Sequence, residues 1–289
     1  KADGSRSPRP IIIPVTVDVI DLETDCIKCG VSGRMGQRLA HLTLEAEDLE
    51  LVGGTEHAGH ASIGADVGQV VGAPQLGFEV VDSLRSPAAD ADVVIAFTTP
   101  EATLKDAAIC AEMGVPMVVG TTGFTEDQLR DFKASVSALP CVFASNFSTA
   151  MNVLFKLVQD AASILGDDYD VEILEMHHHF KVDAPSGSAI TLGEKAAAGL
   201  GRDLKDVVKN GREGLVGQRE KMEIGMHAIR AGDIAGVHKV FYGAPGEYIE
   251  LGHTATSRDA FALGALRAAR FVADADARIY SMGDVLGIE

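Results

Sequence analysis

Residues 176–189 read MHHHFKVDAPSGSA and bring several groups that can do chemistry into one short segment. Histidine can donate or accept a proton near neutral pH, and Lys181 carries a compact point charge with N–H donors. Ser186, Gly187 and Ser188 precede a helical pattern, and the exposed backbone N–H groups at the start of a helix bind carboxylates. The segment therefore suits acid/base chemistry on a small anionic molecule.

Two other interpretations of the consecutive histidines stay open at this point. In a strand, His177 and His179 would share one face and His178 would lie on the other. Zinc would need further cysteine, histidine or carboxylate ligands, in a geometry that neighbours in one strand do not readily provide. The third interpretation is a histidine-rich surface without chemistry. The residue types favour acid/base chemistry, and we expect no metal.

The composition excludes some classes of partner. The chain has 289 residues, 46% of them hydrophobic, and a formal net charge of −17. Nucleic acids and anionic membranes require a basic face, so neither is an expected partner. We find no apolar run near the roughly 20 residues of a membrane span and no long apolar segment typical of a secretory signal near residue 1. We therefore expect a cytoplasmic protein, in which any anionic substrate meets a locally basic site.

Cys26 and Cys29 have the spacing of a redox motif or of half a zinc site. A second pair with this spacing is absent from the sequence, and the first precedes a glycine-rich turn, where a buried strand is expected. We therefore interpret both as ordinary cysteines of the core or of a strand edge.

Short apolar runs alternate with helical patterns from about residue 27 to residue 147. The predicted strands cover 48–56, 92–100, 115–123 and 140–148. The predicted helices between them cover 33–46, 99–114 and 125–138. Nearly continuous apolar runs are typical of parallel strands buried on both faces. The alternation predicts a parallel sheet with right-handed crossovers.

The pattern changes after about residue 149. Helices are predicted over 151–166 and 186–200, and a long helix over 257–274. Strands are predicted over 169–179, 221–230, 236–244 and 247–255. This order predicts an α+β unit with a mixed or antiparallel sheet. Before the first glycine turn, residues 1–10 read as a disordered tail, and 15–23 as a strand or an extended arm. The strand at 23–29 is less apolar than a central strand should be.

A glycine-rich turn predicts a dinucleotide site. Gly30, Gly33 and Gly36 have GxxGxxG spacing, which permits a tight turn and a close approach of backbone to pyrophosphate. Glu56 ends the next strand about 20 residues later, where a carboxylate can bond ribose hydroxyls. The small polar loops 120–122 and 144–147 also end predicted parallel strands, and such strand ends bind ligands in open α/β sheets.

Together these motifs resemble one known family. The segments GxxGRMG, VVGTTGF, ASNFSTAMNV, HHHFKVDAPSGSA and RAGDIAGVH resemble 4-hydroxy-tetrahydrodipicolinate reductase, formerly called dihydrodipicolinate reductase, of lysine and diaminopimelate biosynthesis. The resemblance runs from about residue 27 to the C-terminus. It implies an α/β fold, with a Rossmann-type parallel sheet domain over 26–148 that a C-terminal helix over 257–289 completes. A central α+β substrate domain with an open mixed sheet over 149–256 would build a homotetramer, and residues 1–25 would be an extension.

The resemblance also implies roles for individual residues. It makes His177 the histidine that donates or accepts a proton and Lys181 the proton-donating lysine. The implied contacts to substrate carboxylates are His178, Gly187 and Ser188. The implied cofactor contacts are Gly30, Val31, Ser32, Gly33, Arg34, Met35, Glu56, Gly120, Thr121, Thr122, Ala144, Ser145, Asn146 and Phe147. It assigns no chemistry to His179 and Phe180, which lie at positions where the family varies.

The implied reaction is reduction of a cyclic imine dicarboxylate by NADH or NADPH, followed by protonation of a carbon. The chain departs from the family in the segment before Gly30 and at His57, where an arginine often follows the acid. We therefore expect NADH to serve at least as well as NADPH. The alternatives are another Rossmann oxidoreductase acting on a small amino or imino acid, and a catalytically silent nucleotide-sensing or scaffold protein.

Overall fold

The computed structural model describes residues 24–288. The predictions for residues 1–10 and 15–23 lie outside the described residues. In this part of the chain, no helix is long and apolar enough to cross a membrane.

The elements follow in chain order. The strands are β1 Thr24–Cys29, β2 Leu49–Thr55, β3 Val80–Val81, β4 Val93–Ala96, β5 Met117–Val119, β6 Cys141–Phe143, β7 Asp170–His177, β8 Val208–Asn210, β9 Ile224–Arg230, β10 Gly236–Ala244, β11 Glu247–Ala255 and β12 Ile279–Tyr280. The α-helices are α1 Arg34–Leu44, α2 Val67–Val71, α3 Pro100–Met113, α4 Glu126–Ser135, α5 Thr149–Leu165, α6 Gly187–Gly199, α7 Leu204–Val207, α8 Asp259–Ala273 and α9 Met282–Leu286.

A parallel sheet organises the first part of the fold. Its strand order is β12-β6-β5-β4-β1-β2-β3, and every neighbouring pair is parallel. The chain order reverses between β1 and β4, and such a switch point opens a ligand crevice at the carboxyl ends of the strands. The predicted Rossmann-type sheet is therefore confirmed.

Local sequence signals mark both ends of the helix between β4 and β5, as predicted. The Thr99 hydroxyl accepts a hydrogen bond from the backbone N–H of Ala102, which caps α3, and Pro100 is its first residue. Gly114 ends the helix with a φ of 75°, a conformation that glycine adopts without strain. The chain then turns directly into β5.

The polar segment before the glycine turn is an interior strand of this sheet, next to the central strand β4. β1 lies between β2 and β4, and the side chain of Lys28 within it has no exposed surface. Cys26 and Cys29 are buried in this strand, as are Cys110 and Cys141 elsewhere in the fold. Burial raises the pKa of the Cys141 thiol to about 12. The interpretation of the cysteine pair as core residues is confirmed.

The second sheet is mixed and has the order β11-β10-β7-β9-β8. β10 runs antiparallel to β11 and β7, whereas β7, β9 and β8 run parallel. Helices α5 and α6 supply apolar residues to the same core cluster as β7, including Leu154, Leu192 and Ile173. Because β7 alternates, Glu175 and His177 are buried, like Val171 and Ile173.

The C-terminal segment differs from the single helix predicted over 257–289. It forms α8, then β12, then α9. β12 pairs with β6 and adds an edge strand to the parallel sheet. Ser281 and Asp284 form a capping box that starts the new helix. Helix α8 packs on the sheet through Ala262, Ala265 and Ala269, in one cluster with sheet residues such as Ile95.

Candidate active site

The glycine turn after β1 has the geometry of a phosphate-binding loop. Gly30 has a φ of +67°, and a Cβ atom at Gly36 would lie 2.1 Å from the carbonyl oxygen of Gly30. Any residue other than glycine at position 36 would clash with the turn, so glycine is what allows α1 to pack this closely against it. No side chain caps α1, and its first turn carries no acidic residue. Its first N–H groups are thus available to an anion, which fits a pyrophosphate.

Glu56 is held against this turn. Its Oε1 atom accepts hydrogen bonds from the Ser32 backbone N–H at 3.0 Å and from the Ser32 hydroxyl at 2.5 Å. Among the described residues, the other oxygen, Oε2, accepts one long hydrogen bond, from the His57 backbone N–H at 3.4 Å. Oε2 is therefore oriented beside the loop and able to accept from ribose hydroxyls, so the residues present fit a dinucleotide.

The other predicted cofactor residues occupy different positions around the turn. Val31 is fully buried among apolar side chains, so only its backbone can face a ligand. Thr121 is turned into the protein, where its hydroxyl accepts from the Thr98 backbone N–H and lies 2.7 Å from the Thr103 hydroxyl. Ala144 lines a separate cavity, between α5, α6 and α9.

One cavity of about 370 Å³ joins the loops of the parallel sheet to the histidine-lysine segment. It brings together twelve of the predicted site residues. These are Arg34, Met35, Gly120, Thr122, Ser145, Asn146, Phe147, His177, His178, Lys181, Gly187 and Ser188. Gly30, Val31, Ser32, Gly33, Glu56, Thr121 and Ala144 do not line it.

His177 is oriented by a buried carboxylate. Its Nδ1 atom lies 2.6 Å from Oε2 of Glu175, whose side chain has no exposed surface. Arg230 donates to both oxygens of the same carboxylate at 2.8 Å, and the Ser186 N–H donates to Oε1 at 3.1 Å. Burial alone would raise the pKa of Glu175, but the hydrogen bonds from His177 and Arg230 outweigh it and lower the pKa to about 2.

The cavity is locally basic in an acidic protein. Arg34, Lys181 and Arg258 line it, and Asp183 is the acidic residue among its lining side chains. The Lys181 ammonium pairs with Asp183 at 2.8 Å. Burial, and then the charges of Arg258 and Arg34, lower the pKa of His178. This cluster of cations suits an anionic ligand.

The start of α6 completes the lining. The Ser186 hydroxyl caps the helix by accepting from the Ala189 N–H, and Gly187 and Ser188 follow at the cavity wall. Asn146 donates to the Ser188 hydroxyl at 2.8 Å, which ties a loop of the parallel sheet to the start of the helix. His178 also lines the cavity, and its Nδ1 atom is buried without a hydrogen-bond partner within residues 24–288.

The remaining histidine of the triplet lies apart. β7 ends at His177, and His179 is exposed with its ring 3.8 Å from that of Phe180. Within residues 24–288, the triplet contributes to no group of three metal-ligating side chains. The histidine triplet therefore divides into two residues of the cavity and one on the surface.

Sequence reasoning missed several residues of this site. Glu175 carried a signal, because it precedes His177 by two positions in an alternating strand and so shares its face. Arg230 begins one of the family-like motifs quoted above, but nothing local joins it to Glu175. Arg258 and Phe261 enter the cavity from α8 and the residue before it, about 80 residues further along the chain.

Comparisons with known proteins agree with this architecture. Residues 26–147 match the N-terminal family model of dihydrodipicolinate reductase, and residues 150–286 match its C-terminal model. A 4-hydroxy-tetrahydrodipicolinate reductase of Anaeromyxobacter sp. (strain Fw109-5) is 49% identical over 90% of this chain and 96% of its own length. One of Desulfotalea psychrophila is 47% identical over 92% of this chain and 99% of its own length.

A solved structure resembles the fold as well. It is described as a dipicolinate-bound dihydrodipicolinate reductase from Paenisporosarcina sp. TG-14, with a TM-score of 0.67 and 25% identity. The match covers 90% of this chain and 98% of that one. Since both family models and these relatives span nearly all of the described residues, the chain belongs to the dihydrodipicolinate reductase family.

Proposed function

We propose that the chain is a 4-hydroxy-tetrahydrodipicolinate reductase, which reduces its substrate with NADH or NADPH and yields tetrahydrodipicolinate for the diaminopimelate and lysine pathway. The observation that carries this proposal is the shared cavity. It places the nucleotide-side loops at Gly120 and Asn146 beside His177 and Lys181. Relatives that are 47–49% identical over at least 90% of the chain bear this name.

The cofactor would bind at the carboxyl ends of the parallel strands. The N-terminus of α1 and the backbone of Gly30 to Met35 would hold the pyrophosphate, and Oε2 of Glu56 would accept from the adenosine ribose. Thr122, Asn146 and Phe147 line the cavity and would contact the nicotinamide end. Val31, Thr121 and Ala144 do not line the cavity. They can contact the cofactor only through their backbone, or else they pack against the loops that do.

The substrate is a small dicarboxylate. Gly187 and Ser188 offer N–H groups at the start of α6, and the ring of His178 lines the cavity beside them. Arg34 and Arg258 add positive charge to the cavity. The related Paenisporosarcina enzyme is described as binding dipicolinate, which is such a dicarboxylate.

When bound, a reduced nicotinamide would supply a hydride to the conjugated imine that the substrate forms when its 4-hydroxyl group leaves as water. This chain's own residues would then complete the reaction by moving one proton to the adjoining carbon. Lys181 donates that proton, and His177, which also lines the cavity, is the second proton-transfer group. Glu175 orients the imidazole of His177, and Arg230 fixes the carboxylate. General acid assistance of this kind contributes roughly 10²- to 10⁴-fold in rate.

Each of the two sheets belongs to a domain with its own role. Residues 26–148, completed by 257–289, form the dinucleotide-binding domain, and residues 149–256 form the substrate-binding and oligomerisation domain. We propose that the second sheet builds a homotetramer and that the enzyme works in the cytoplasm. Static light scattering at low protein concentration tests the assembly, and a monomer would contradict it. Fractionation of the producing cells tests the location.

A coupled assay tests the activity. Aspartate semialdehyde, pyruvate and the synthase that joins them generate the substrate in place, and nicotinamide absorbance is followed after this protein is added. We expect oxidation of NADH that depends on all three components. If NADH is oxidised no faster with this protein than without it, the proposal is wrong. The alternative is then another Rossmann oxidoreductase that acts on a small amino or imino acid.

A further inference from the structure

A cluster of side chains that can bind a metal lies outside the cavity, in the loop after β2. Glu56, His57 and His60 each present one ligand atom, and these atoms all lie within 4.8 Å of one another. We propose that the three residues form a binding site for a divalent transition-metal cation of the zinc class. Imidazole nitrogens with a carboxylate oxygen are a donor set that Zn²⁺ accepts, with solvent in the fourth position.

The two imidazoles are already oriented through one ring nitrogen each. Nδ1 of His57 lies 3.1 Å from the Ala58 carbonyl oxygen, and Nδ1 of His60 lies 2.7 Å from the Ser62 hydroxyl. Metal-ligating histidines characteristically donate one ring N–H to an oxygen and bind the metal through the other nitrogen. Nε2 of His57 is thereby left to the cation. Nε2 of His60 lies 3.5 Å from the Ser32 hydroxyl, and the Ser62 backbone N–H donates to Nδ1 of the same ring at 3.2 Å. Metal binding at Nε2 of His60 therefore requires this ring to give up its contact with Ser32 and to carry its proton on Nδ1, where the Ser62 hydroxyl can accept it.

The carboxylate is held in the same way. Ser32 donates two hydrogen bonds to Oε1 of Glu56, which leaves Oε2 as the oxygen for the cation. A ligand carboxylate that is itself hydrogen-bonded is a common support of metal sites. Ser32 thus serves as the anchor of the proposed site.

The backbone brings the two histidines to one side. The His60 N–H donates to the His57 carbonyl oxygen at 3.0 Å, which closes a turn. The two rings meet edge to face with centroids 5.1 Å apart. His57 is exposed and His60 half-buried, so a cation can reach the site from solvent. The net charge of −17 also raises the local concentration of cations.

Occupancy of this site excludes the cofactor, a consequence that rests on the proposed function. Oε2 of Glu56 is the oxygen that accepts from the adenosine ribose in that proposal. A carboxylate oxygen bound to Zn²⁺ cannot take both ribose hydrogen bonds, and the cation with its solvent occupies the space beside it. Zn²⁺ and NADH therefore compete, and each weakens the apparent affinity of the other.

Direct metal binding tests the site without any reaction. Chelator-treated, dialysed protein is titrated with Zn²⁺ against a chromophoric chelator, and with Co²⁺ while its visible absorption is followed. We expect one strong site per chain, and His60→Asn should raise the Zn²⁺ dissociation constant at least about tenfold. His57→Asn, the second variant, should raise the Zn²⁺ dissociation constant by a similar factor. His41→Asn, which alters a histidine on α1 outside the cluster, is the matched control.

The outcomes separate the two proposals. Equal Zn²⁺ affinity in the unmodified protein and in both correctly folded variants would overturn the site. If Zn²⁺ binds and the variants weaken it, the site stands even where the coupled assay shows no reductase activity. Competition is then measured by titrating NADH fluorescence with and without Zn²⁺. NADH binding that Zn²⁺ leaves unchanged would overturn the exclusion of the cofactor.

Discussion

Nδ1 of His177 lies 2.6 Å from Oε2 of Glu175, and that carboxylate is fully buried and held by Arg230 from the adjacent strand β9. The three residues form a chain from the core to the cavity wall. A buried, hydrogen-bonded carboxylate of this kind sets the orientation of the imidazole. Glu175 is therefore a positioning residue that acts through His177.

Glu175→Gln should lower kcat by about tenfold or more, because the carboxylate that orients the imidazole of His177 is lost while the side-chain shape is kept. The split between kcat and KM is the informative measurement. KM should change little, since Glu175 does not line the cavity. A KM that rises as much as kcat falls, together with a lower free energy of unfolding, would mean that Glu175 supports only the structure.

Lys181→Ala should cut turnover by at least about 10²-fold, as removal of a general acid usually does. His177→Ala should behave similarly. Cofactor affinity should change little in either, which NADH fluorescence measures directly. Lys133→Ala, which removes an exposed lysine from α4, controls for the loss of a positive charge. Near-normal turnover in both cavity variants would refute the roles proposed for them.

Lys28→Met should stabilise the protein. Burial lowers the pKa of Lys28 from 10.5 to about 8, and its ammonium nitrogen has no hydrogen-bond partner among the described residues. Keeping this lysine charged in the folded state at pH 7 therefore costs on the order of 3 kcal/mol. Methionine has a similar length and no charge, so the free energy of unfolding at pH 7 should rise by about that amount.

The pH dependence of this gain follows from the direction of the shift. Between about pH 8 and pH 10.5 the unfolded chain binds the Lys28 proton and the folded protein does not, so the unmodified protein becomes more stable as pH rises. The advantage of Lys28→Met should therefore shrink across this window. Denaturant unfolding at several pH values measures it, with Lys133→Met as the exposed control. A gain that is constant with pH would contradict burial of a charged lysine.

His57→Arg should shift cofactor preference toward NADPH by roughly tenfold, equivalent to about 1.4 kcal/mol. A guanidinium beside Glu56 can bind the 2′-phosphate through two parallel hydrogen bonds and offset the carboxylate charge. Steady-state kcat/KM with NADH and NADPH gives the ratio, and His41→Arg is the control. A clear NADPH preference of the unmodified enzyme at pH 8 would show that another residue holds the phosphate.

Chelator treatment should leave turnover intact, because no step of the proposed reaction uses a metal. The three-ligand cluster in the described residues lies at Glu56, outside the cavity. Turnover is measured before and after dialysis against a chelator, and again after Zn²⁺ is restored. Activity that falls on chelation and returns with Zn²⁺ would revive the metal interpretation of the histidine triplet.

Much of this architecture was predictable because its causes are local. The period of apolar residues predicted most strands and the longer helices, and Thr99 and Gly114 marked the ends of one of them. The glycine spacing from Gly30 to Gly36 predicted a tight turn. The motifs around His177 and Lys181 carried the family resemblance and with it most of the cavity residues.

The tertiary structure alone decided the relationships between residues far apart in sequence. Lys28 lies in a polar segment, yet pairing of β1 on both sides, with β2 and β4, places it inside the sheet and buries it. Ile279 and Tyr280 are too short a run to predict as a strand, but the edge of β6 offers them hydrogen-bond partners. Arg258 reaches the cavity only because α8 packs back onto the parallel sheet. Local propensity cannot encode such pairings, since their free energy comes from surfaces that meet only after the chain has folded.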